Sequence, residues 1–387
     1  MKTAKQTSCG EGSMENRGLF TREQQERLAS WKKRYPYPIM GIVEALRDVQ
    51  QWHRSVSLEA EAHVAELFQV PLPQVHELVT FYPYFTTEPA GRCRIQVCRN
   101  LSCHLAGSAR ALDHLRSSLG VEEGRATPDG LFSYEAAECL GACDFAPAFT
   151  VNDELIGEAT GAALDRVLAR ARSGETAPDE NAGVRAEEPR QRGGASSGVR
   201  IVMEHFDDAQ LHSLEAYRRA GGYRAWEKAQ TMEAGRIVAE VKKSNLRGLG
   251  GAGFPSGMKW ETVPPKKDRR TPHYLVANAD ESEPGCFKDR ILMERNPHAL
   301  IEGMLIAGRA IEADGLFIFI RGEYARQNRV LEAAVREASE AGILKQNIFI
   351  MRGASAYISG CDTALLETME GKKAWPRQPP PFPTVNG

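Results

Sequence analysis

The sequence predicts an α/β protein with two sheet-containing units, a helical segment in front of the first and a polar linker between them. Three observations predict it. From Gly91 onward the hydrophobic period changes from helical to alternating, as in "CRIQVC". Further on, the short apolar runs "HYLVANAD", "GLFIFIRG" and "NIFIMRG" alternate with helical stretches, the pattern of parallel strands joined by crossover helices. Between these regions, residues 171–199 are rich in Gly, Pro, Ser, Glu and Arg and lack an apolar period, so they read as a linker.

Residues 1–21 are expected to form a polar, disordered tail. Residues 22–90 read as a helical segment. In "SLEAEAHVAELFQV", Leu58, Val64, Ala65, Leu67 and Phe68 recur at helical spacing, with Ser57 as N-cap and Glu59 in the first turn. A second helix restarts at "PLPQVHELVTFY" with Pro73 near its first position. Residues 91–170 form a small α/β domain, with "GSARALDHLRSSLG" as its helix and short strands and turns around "ECLGACDF". Residues 200–387 hold the second unit, in which "PHALIEGMLIAGRAIEA" and "YARQNRVLEAAVREASEAG" are helices between strands.

Composition bounds the function. The 387 residues are 42% hydrophobic and 26% charged, with a formal net charge of −2, which argues against a dedicated nucleic-acid binder. The paired helices before residue 82 resemble a helix-turn-helix in outline, but no basic recognition face follows them. No apolar run is long enough to span a bilayer and the N-terminus lacks a signal-peptide h-region, so a cytoplasmic protein without direct membrane insertion is expected.

The eight cysteines do not make a disulfide framework. Cys98-x4-Cys103 and Cys139-x3-Cys143 place four thiolates on two loops of the small domain, a donor set that suits zinc or iron–sulfur. The spacing fits an iron–sulfur centre better and leaves zinc open. Gly141 and Ala142 allow a tight turn whose N–H groups can face the sulfurs. Cys93 reads as a small buried hydrophobe and Cys9 falls in the tail.

"SNLRGLGGAGFP" contains Gly248-x-Gly250-x-x-Gly253, the glycine spacing of a dinucleotide-binding turn. Its context differs. A helical pattern precedes it, Phe254-Pro255 follows it, and the strand arrives only at "HYLVANAD". A phosphate-presenting loop with Lys259 just beyond it is the better account. Asn278, Asp280, Glu281 and Glu283 cluster where that strand ends, the edge at which open sheets bind ligands.

These residues carry a family resemblance. "FYPYFTTEPAG", "IQVCRNLSC" and "AECLGACDFAPAFTVND" resemble the 24 kDa thioredoxin-like [2Fe–2S] subunit of NADH:quinone oxidoreductase, complex I. "LRGLGGAGFPSGMKW", "NADESEPGCFKDR", "PHALIEGMLIAG", "FIFIRGEY", "GASAYISG" and "PPPFPTVNG" resemble the first half of its 51 kDa flavoprotein partner, which carries FMN. Fused in one chain, the two are similar to the diaphorase subunits of soluble NAD-dependent formate dehydrogenases and NAD-reducing hydrogenases. The resemblance implies a thioredoxin-like [2Fe–2S] domain and an FMN-binding α/β domain, C-terminally truncated relative to the family. It implies Cys98, Cys103, Cys139 and Cys143 as cluster ligands. Gly248, Gly250, Gly251, Ala252, Gly253 and Lys259 would line the flavin, with Asn278, Asp280 and Glu281 on its phosphate or ribityl side. Phe254, Glu283 and Tyr357 would face NAD(H), and Gly360 and Asp362 complete the cofactor-binding set. The chain departs from the family at Leu249, Ser282, Cys361-Asp362 and Pro379, where the family usually has a basic residue, Gly, Glu-Glu and Lys.

The expected function is exchange of hydride between NAD(H) and FMN with relay of single electrons to iron–sulfur centres, no side chain acting as acid or base. The expected partner in a hetero-oligomer is a formate dehydrogenase catalytic subunit with Fe–S and Mo or W centres, or else hydrogenase or complex I subunits. A truncated, non-catalytic paralogue serving as an assembly or electron-transfer module is the alternative.

Overall fold

The computed structural model describes residues 18–174, 201–266 and 271–385. The expected tail up to residue 17, with Cys9, and the linker from residue 175 lie outside the described residues. The tail ends earlier than expected from sequence. Thr21 caps α1 (Arg22–Arg34) through a reciprocal box with Gln24, and Phe20 is buried against the ring of His53. Residues 20 and 21 therefore belong to the fold.

Helices α2 (Ile42–His53), α3 (Leu58–Phe68) and α4 (Leu72–Phe81) complete the N-terminal segment. Ser57 Oγ accepts from the Ala60 N–H at 3.2 Å, the expected cap, and Pro73 lies in the first turn of α4. Val64, Ala65 and Phe68 are buried, whereas Leu58, in the first turn of its helix, is exposed.

The first sheet contains β1 (Cys93–Cys98), β2 (Phe132–Ala137), β3 (Ala148–Val151) and β4 (Glu154–Glu158) in the order β2-β1-β3-β4. Strands β1 and β2 are parallel and the other pairs antiparallel. The parallel pair requires a crossover, supplied by α5 (Leu101–Leu105) and α6 (Ser108–Leu119), while α7 (Gly161–Arg172) follows β4. Ile95, Val97, Leu115, Phe132, Phe149 and Leu164 fill the core between sheet and helices.

In the second unit α8 (Leu214–Arg219), α9 (Arg224–Gln230), α10 (Ala234–Ser244) and α11 (Ser256–Glu261) precede the sheet. The strands β5 (Tyr274–Ala279), β6 (Gly315–Ile320) and β7 (Ile348–Arg352) are all parallel, in sequence order. Helices α12 (Lys288–Arg295) and α13 (Pro297–Ala310) link β5 to β6, α14 (Ala325–Glu340) links β6 to β7, and α15 (Asp362–Met369) follows.

Every residue of β6 is buried because both its faces are covered. Leu316, Ile318 and Ile320 pack into the core containing Ile301, Leu305 and Leu331. Phe317 and Phe319 alternate to the opposite face and join the core of the N-terminal helices, with Trp31, Leu46 and Leu78. The first four helices thus roof a sheet formed by the other end of the chain.

Polar contacts fix that docking. Tyr35 donates its hydroxyl to the Ile350 carbonyl at 2.9 Å, and Arg352 pairs with buried Glu44 at 2.9 Å. Arg47, fully buried, donates to the carbonyls of Gly353 (3.0 Å) and Gly322 (3.3 Å) and reaches Asp153 in the β3–β4 turn at 3.5 Å. One guanidinium therefore ties together the helical segment, the first sheet and the second sheet. Among the described residues no helix is long and apolar enough to cross a membrane.

Candidate redox site

The four cysteines converge. Cys98 ends β1 and Cys103 lies within the short helix α5, so the first pair sits on regular elements where sequence reasoning expected a loop. Cys139 and Cys143 flank the turn at Gly141, with their sulfurs 3.9 Å apart. Cys98, Cys103 and Cys139 are buried and Cys143 is half-buried. Cys139 hydrogen-bonds to Cys98 and Cys98 to Cys103, so the quartet is contiguous. The bond to Cys98, with burial, holds the Cys139 thiol above the usual range; the bond to Cys103, with burial, raises Cys98 against the opposing pull of Cys139, and the bond from Cys98 lowers Cys103. Burial raises Cys143.

Each sulfur also accepts a backbone N–H. Gly141 donates to Cys139 (3.4 Å), Ala148 to Cys103 (3.4 Å) and Gly285 to Cys143 (3.1 Å), and the Asn100 N–H faces Cys98. A shell of amide donors around close-set sulfurs is what a thiolate-bound cluster needs to spread its charge. Among the described residues no three His, Cys, Asp or Glu side chains are arranged around a single ion.

The loop carrying Cys139 and Cys143 docks on the second unit. Arg290 on α12 donates Nε to the Gly141 carbonyl at 3.0 Å and Nη2 to both carboxylate oxygens of Asp144 at 2.6 Å. Arg321, just after β6, donates to the carbonyls of Cys139 and Glu281 and pairs with Glu323 at 2.7 Å. Gly141 has φ +65°, and a Cβ there would overlap the phenol ring of Tyr324.

At the C-terminal edge of the second sheet the structure brings several predicted residues together. Asn278 Nδ2 donates to the Gly360 carbonyl at 2.9 Å, and the Tyr357 hydroxyl donates to Glu283 at 2.5 Å. Ser282 donates to Asp280, whose carboxyl lies against Gly353 and Gly360. That enclosure pushes the Asp280 pKa up to about 6, against the opposing pull of Arg321 and Ser282. Glu281 is buried, and its carboxylate accepts from the N–H groups of Asp289 and Arg290 at 3.0 Å and from the Tyr324 hydroxyl at 3.1 Å. It holds the N-terminus of α12. Asp362 is exposed and accepts from its neighbour Thr363 N–H at 2.8 Å.

The glycine loop joins α10 to α11 with no strand ahead of it, so the dinucleotide-type context is absent as expected. It closes on itself through Gly248 N–H to the Phe254 carbonyl (3.0 Å) and Ser256 N–H to the Leu246 carbonyl (2.8 Å). Gly251 and Gly253 have φ of +105° and +61°, and a Cβ at Gly250, Gly251 or Gly253 would meet nothing within 4 Å. The loop therefore presents an open backbone, with Ala252 and Lys259 also exposed. Phe254 and Tyr357 are each 53% exposed, leaving both rings free to stack on a planar ligand.

Two protein-family models match this chain: thioredoxin-like [2Fe–2S] ferredoxin over residues 28–172 and the Nuo51 FMN-binding domain over residues 241–386. The chain joins a thioredoxin-like [2Fe–2S] ferredoxin domain to a Nuo51 FMN-binding domain. The chain is similar to an NADH-quinone oxidoreductase subunit of Rhizobium meliloti (strain 1021), 50% identical over 197 residues, covering 48% of this chain and 46% of that protein. It is also similar to the corresponding NADH-quinone oxidoreductase subunit of Aquifex aeolicus (strain VF5), 44% identical over 202 residues, 50% of this chain and 47% of that one. The chain thus spans about half the length of the curated relatives it matches. Both domains together resemble a chain in the crystal structure of an air-oxidised NAD+-reducing [NiFe]-hydrogenase, with TM-score 0.72 and 29% identity over 90% of this chain and 57% of that one.

Sequence reasoning missed the residues on the seam between the two domains. Gly285 and Arg290 lie inside the motif "NADESEPGCFKDR", but nothing in their spacing says that they face the cysteine loop, 142 and 149 positions earlier. Ser359 is a further omission: its Oγ is buried and without a hydrogen-bond partner, beside Gly360.

Proposed function

We propose that this chain is an NADH-facing electron-transfer subunit, exchanging hydride between NAD(H) and FMN in one domain and passing single electrons to a [2Fe–2S] cluster in the other. The observation that carries this is the Gly285 N–H donating to Cys143 Sγ at 3.1 Å, which places the flavin-motif loop in contact with the cysteine quartet. FMN, when bound, would take a hydride and release its electrons one at a time.

The residues present fit both groups. Cys98, Cys103, Cys139 and Cys143 would hold the cluster, each sulfur already served by an amide N–H. The open backbone at Gly248, Gly250, Gly251 and Gly253, with exposed Ala252 between them, leaves room for a flat ring system, and Lys259 adds positive charge near it. Asn278, Asp280 and the unpartnered Ser359 Oγ offer hydrogen bonds at the sheet edge. Phe254 and Tyr357 supply stacking faces for the nicotinamide nucleotide, with Glu283 holding the Tyr357 hydroxyl. Glu281 acts through α12, while Gly360 and Asp362 frame the start of α15.

The fused order of the domains supports a diaphorase working with a separate catalytic subunit in a hetero-oligomer. A formate dehydrogenase subunit is one form of that partner and a hydrogenase subunit another. The structural match across both domains supports the second. Purified chain should contain FMN, iron and acid-labile sulfide, with a visible spectrum that bleaches on adding NADH. Iron and sulfide without flavin after reconstitution would favour the non-catalytic electron-transfer module. Stoichiometric zinc without iron would overturn the redox assignment of the four cysteines.

A further inference from the structure

Two buried arginines join the cluster loop to the FMN-binding domain: Arg321, which donates to the Cys139 carbonyl, and Arg290, whose polar contacts on the loop fall on Gly141 and Asp144. Arg290 is 5% exposed. Its Nε donates to the Gly141 carbonyl at 3.0 Å and its Nη2 donates to both oxygens of Asp144 at 2.6 Å. Glu294 lies 3.8 Å from Nη1. The guanidinium is flanked by a ring from each domain, Phe145 at 5.5 Å and Phe287 at 5.9 Å from Cζ. Gly141 and Asp144 are two residues after Cys139 and one after Cys143, so the clamp grips the backbone that carries half of the quartet.

Arg290 is also placed by the flavin-motif loop. The Glu281 carboxylate accepts from the backbone N–H of both Asp289 and Arg290, fixing the first turn of α12. The same loop contributes Gly285, which donates to Cys143 Sγ. Movement of loop 278–289 therefore moves the arginine, its salt bridge and the amide on the sulfur together.

We propose that Arg290, with Asp144, is a positioning residue that holds the cluster loop in register with the FMN-binding domain and sets the reduction potential of the centre at Cys139 and Cys143. This rests on the cluster assignment made above. The physical cause is electrostatic. Adding an electron makes the centre more negative, so an adjacent cation favours the reduced form and an uncompensated carboxylate disfavours it. Arg290 and Asp144 nearly cancel as a pair. Removing either one exposes the other's charge in a partly buried seam where screening is weak. A lysine retains charge but cannot engage Gly141 and both Asp144 oxygens in one planar fork.

The experiment uses the full chain with its cluster loaded, as R290Q, D144N, the R290Q/D144N double variant and R290K. The readouts are the cluster midpoint potential from a redox titration followed by EPR, iron and sulfide per chain, and the thermal midpoint. R290Q should shift the one-electron equilibrium toward the oxidised form by about tenfold, or ~59 mV. D144N should shift it the opposite way, and the double variant should return toward the parent. R290K should stay closer to the parent potential than R290Q while losing thermal stability.

Opposite signs for R290Q and D144N are not expected of a residue that only stabilises the fold. The proposal is overturned if both variants, carrying the parent's iron, keep its potential or shift in the same direction. If R290Q loses iron, D144N decides: an iron-replete D144N at the parent potential overturns the proposal. Failure of the cluster assignment itself reads differently, as a parent chain that holds zinc or no iron–sulfur centre at all.

Discussion

The backbone N–H of Gly285 donates to the sulfur of Cys143 across 3.1 Å, although the two residues belong to different domains. A main-chain donor on a thiolate adds no charge and survives side-chain substitution, so it couples the two loops through geometry alone.

Cys143 is accordingly expected to be indispensable to the centre, and buried Cys93 dispensable. Cys93 packs with Leu115 and Phe132 in the first-sheet core, and burial pushes its thiol up to about 11, which makes it a poor thiolate. C143S should lose most of its iron and sulfide, while C93A keeps both and loses about 1 kcal/mol of stability. Metal analysis and visible absorption of the purified variants check this. Full iron in C143S would remove Cys143 from the ligand set.

A methyl group at Gly141 is the next expected lesion. The residue sits at φ +65°, costing about 1 kcal/mol for a non-glycine, and the added carbon would overlap the Tyr324 ring. G141A should destabilise the protein by about 2 kcal/mol or more and loosen the cluster loop, since Tyr324 and Arg290 both bond the Gly141 carbonyl. In thermal denaturation the G141A/Y324A double variant should lose less than the sum of the two single variants, because the overlap is absent once the ring is removed. A G141A chain as stable as the parent would show that the seam is not tightly packed.

The elements were largely legible and their assembly was not. Alternation in "CRIQVC" and continuous apolarity in "GLFIFI" follow directly from one-sided and two-sided burial, so β1 and β6 could be placed from sequence. The cysteine quartet was legible as a spacing. Phe317 and Phe319 gave no sign that the helices covering them lie more than two hundred residues upstream. Pairing at such separation depends on shape and leaves no local period. Glu281 shows the same limit within the site. Its place in an acidic motif suggested ligand binding, while its carboxylate is committed to the first turn of α12.

Arg47 is expected to be the costliest single loss in the docking of the helical segment. It is fully buried, stacks 3.8 Å from the Tyr84 ring centroid, and satisfies two carbonyls of the FMN-binding domain and one carboxylate of the ferredoxin domain. R47M removes the donor from both carbonyls and leaves Asp153 with the Tyr84 hydroxyl alone, a loss of about 3–5 kcal/mol. R47K should recover only part, because a lysine lacks the planar fork. Urea unfolding of both variants measures the effect. A change below about 0.5 kcal/mol in R47M would show that the contacts are dispensable.

Asp280 carries a pH dependence of known sign. Burial raises its pKa from 3.8 to about 6, so between roughly pH 4 and pH 6 the folded chain binds more protons than the unfolded one. Stability attributable to this group is therefore greatest below pH 4, falls as pH rises through that window, and reaches its full penalty above about pH 6. Part of the residue remains wet, so the penalty is about 2 kcal/mol, less than the whole shift would imply. D280N removes the titration. On flavin-free protein it should be more stable than the parent at pH 7.5, with the difference closing below pH 4. Urea midpoints across that range provide the measurement. A D280N variant that is less stable than the parent at pH 7.5, or a gap that does not depend on pH, would show that the carboxylate is stabilised in place by Arg321 and Ser282.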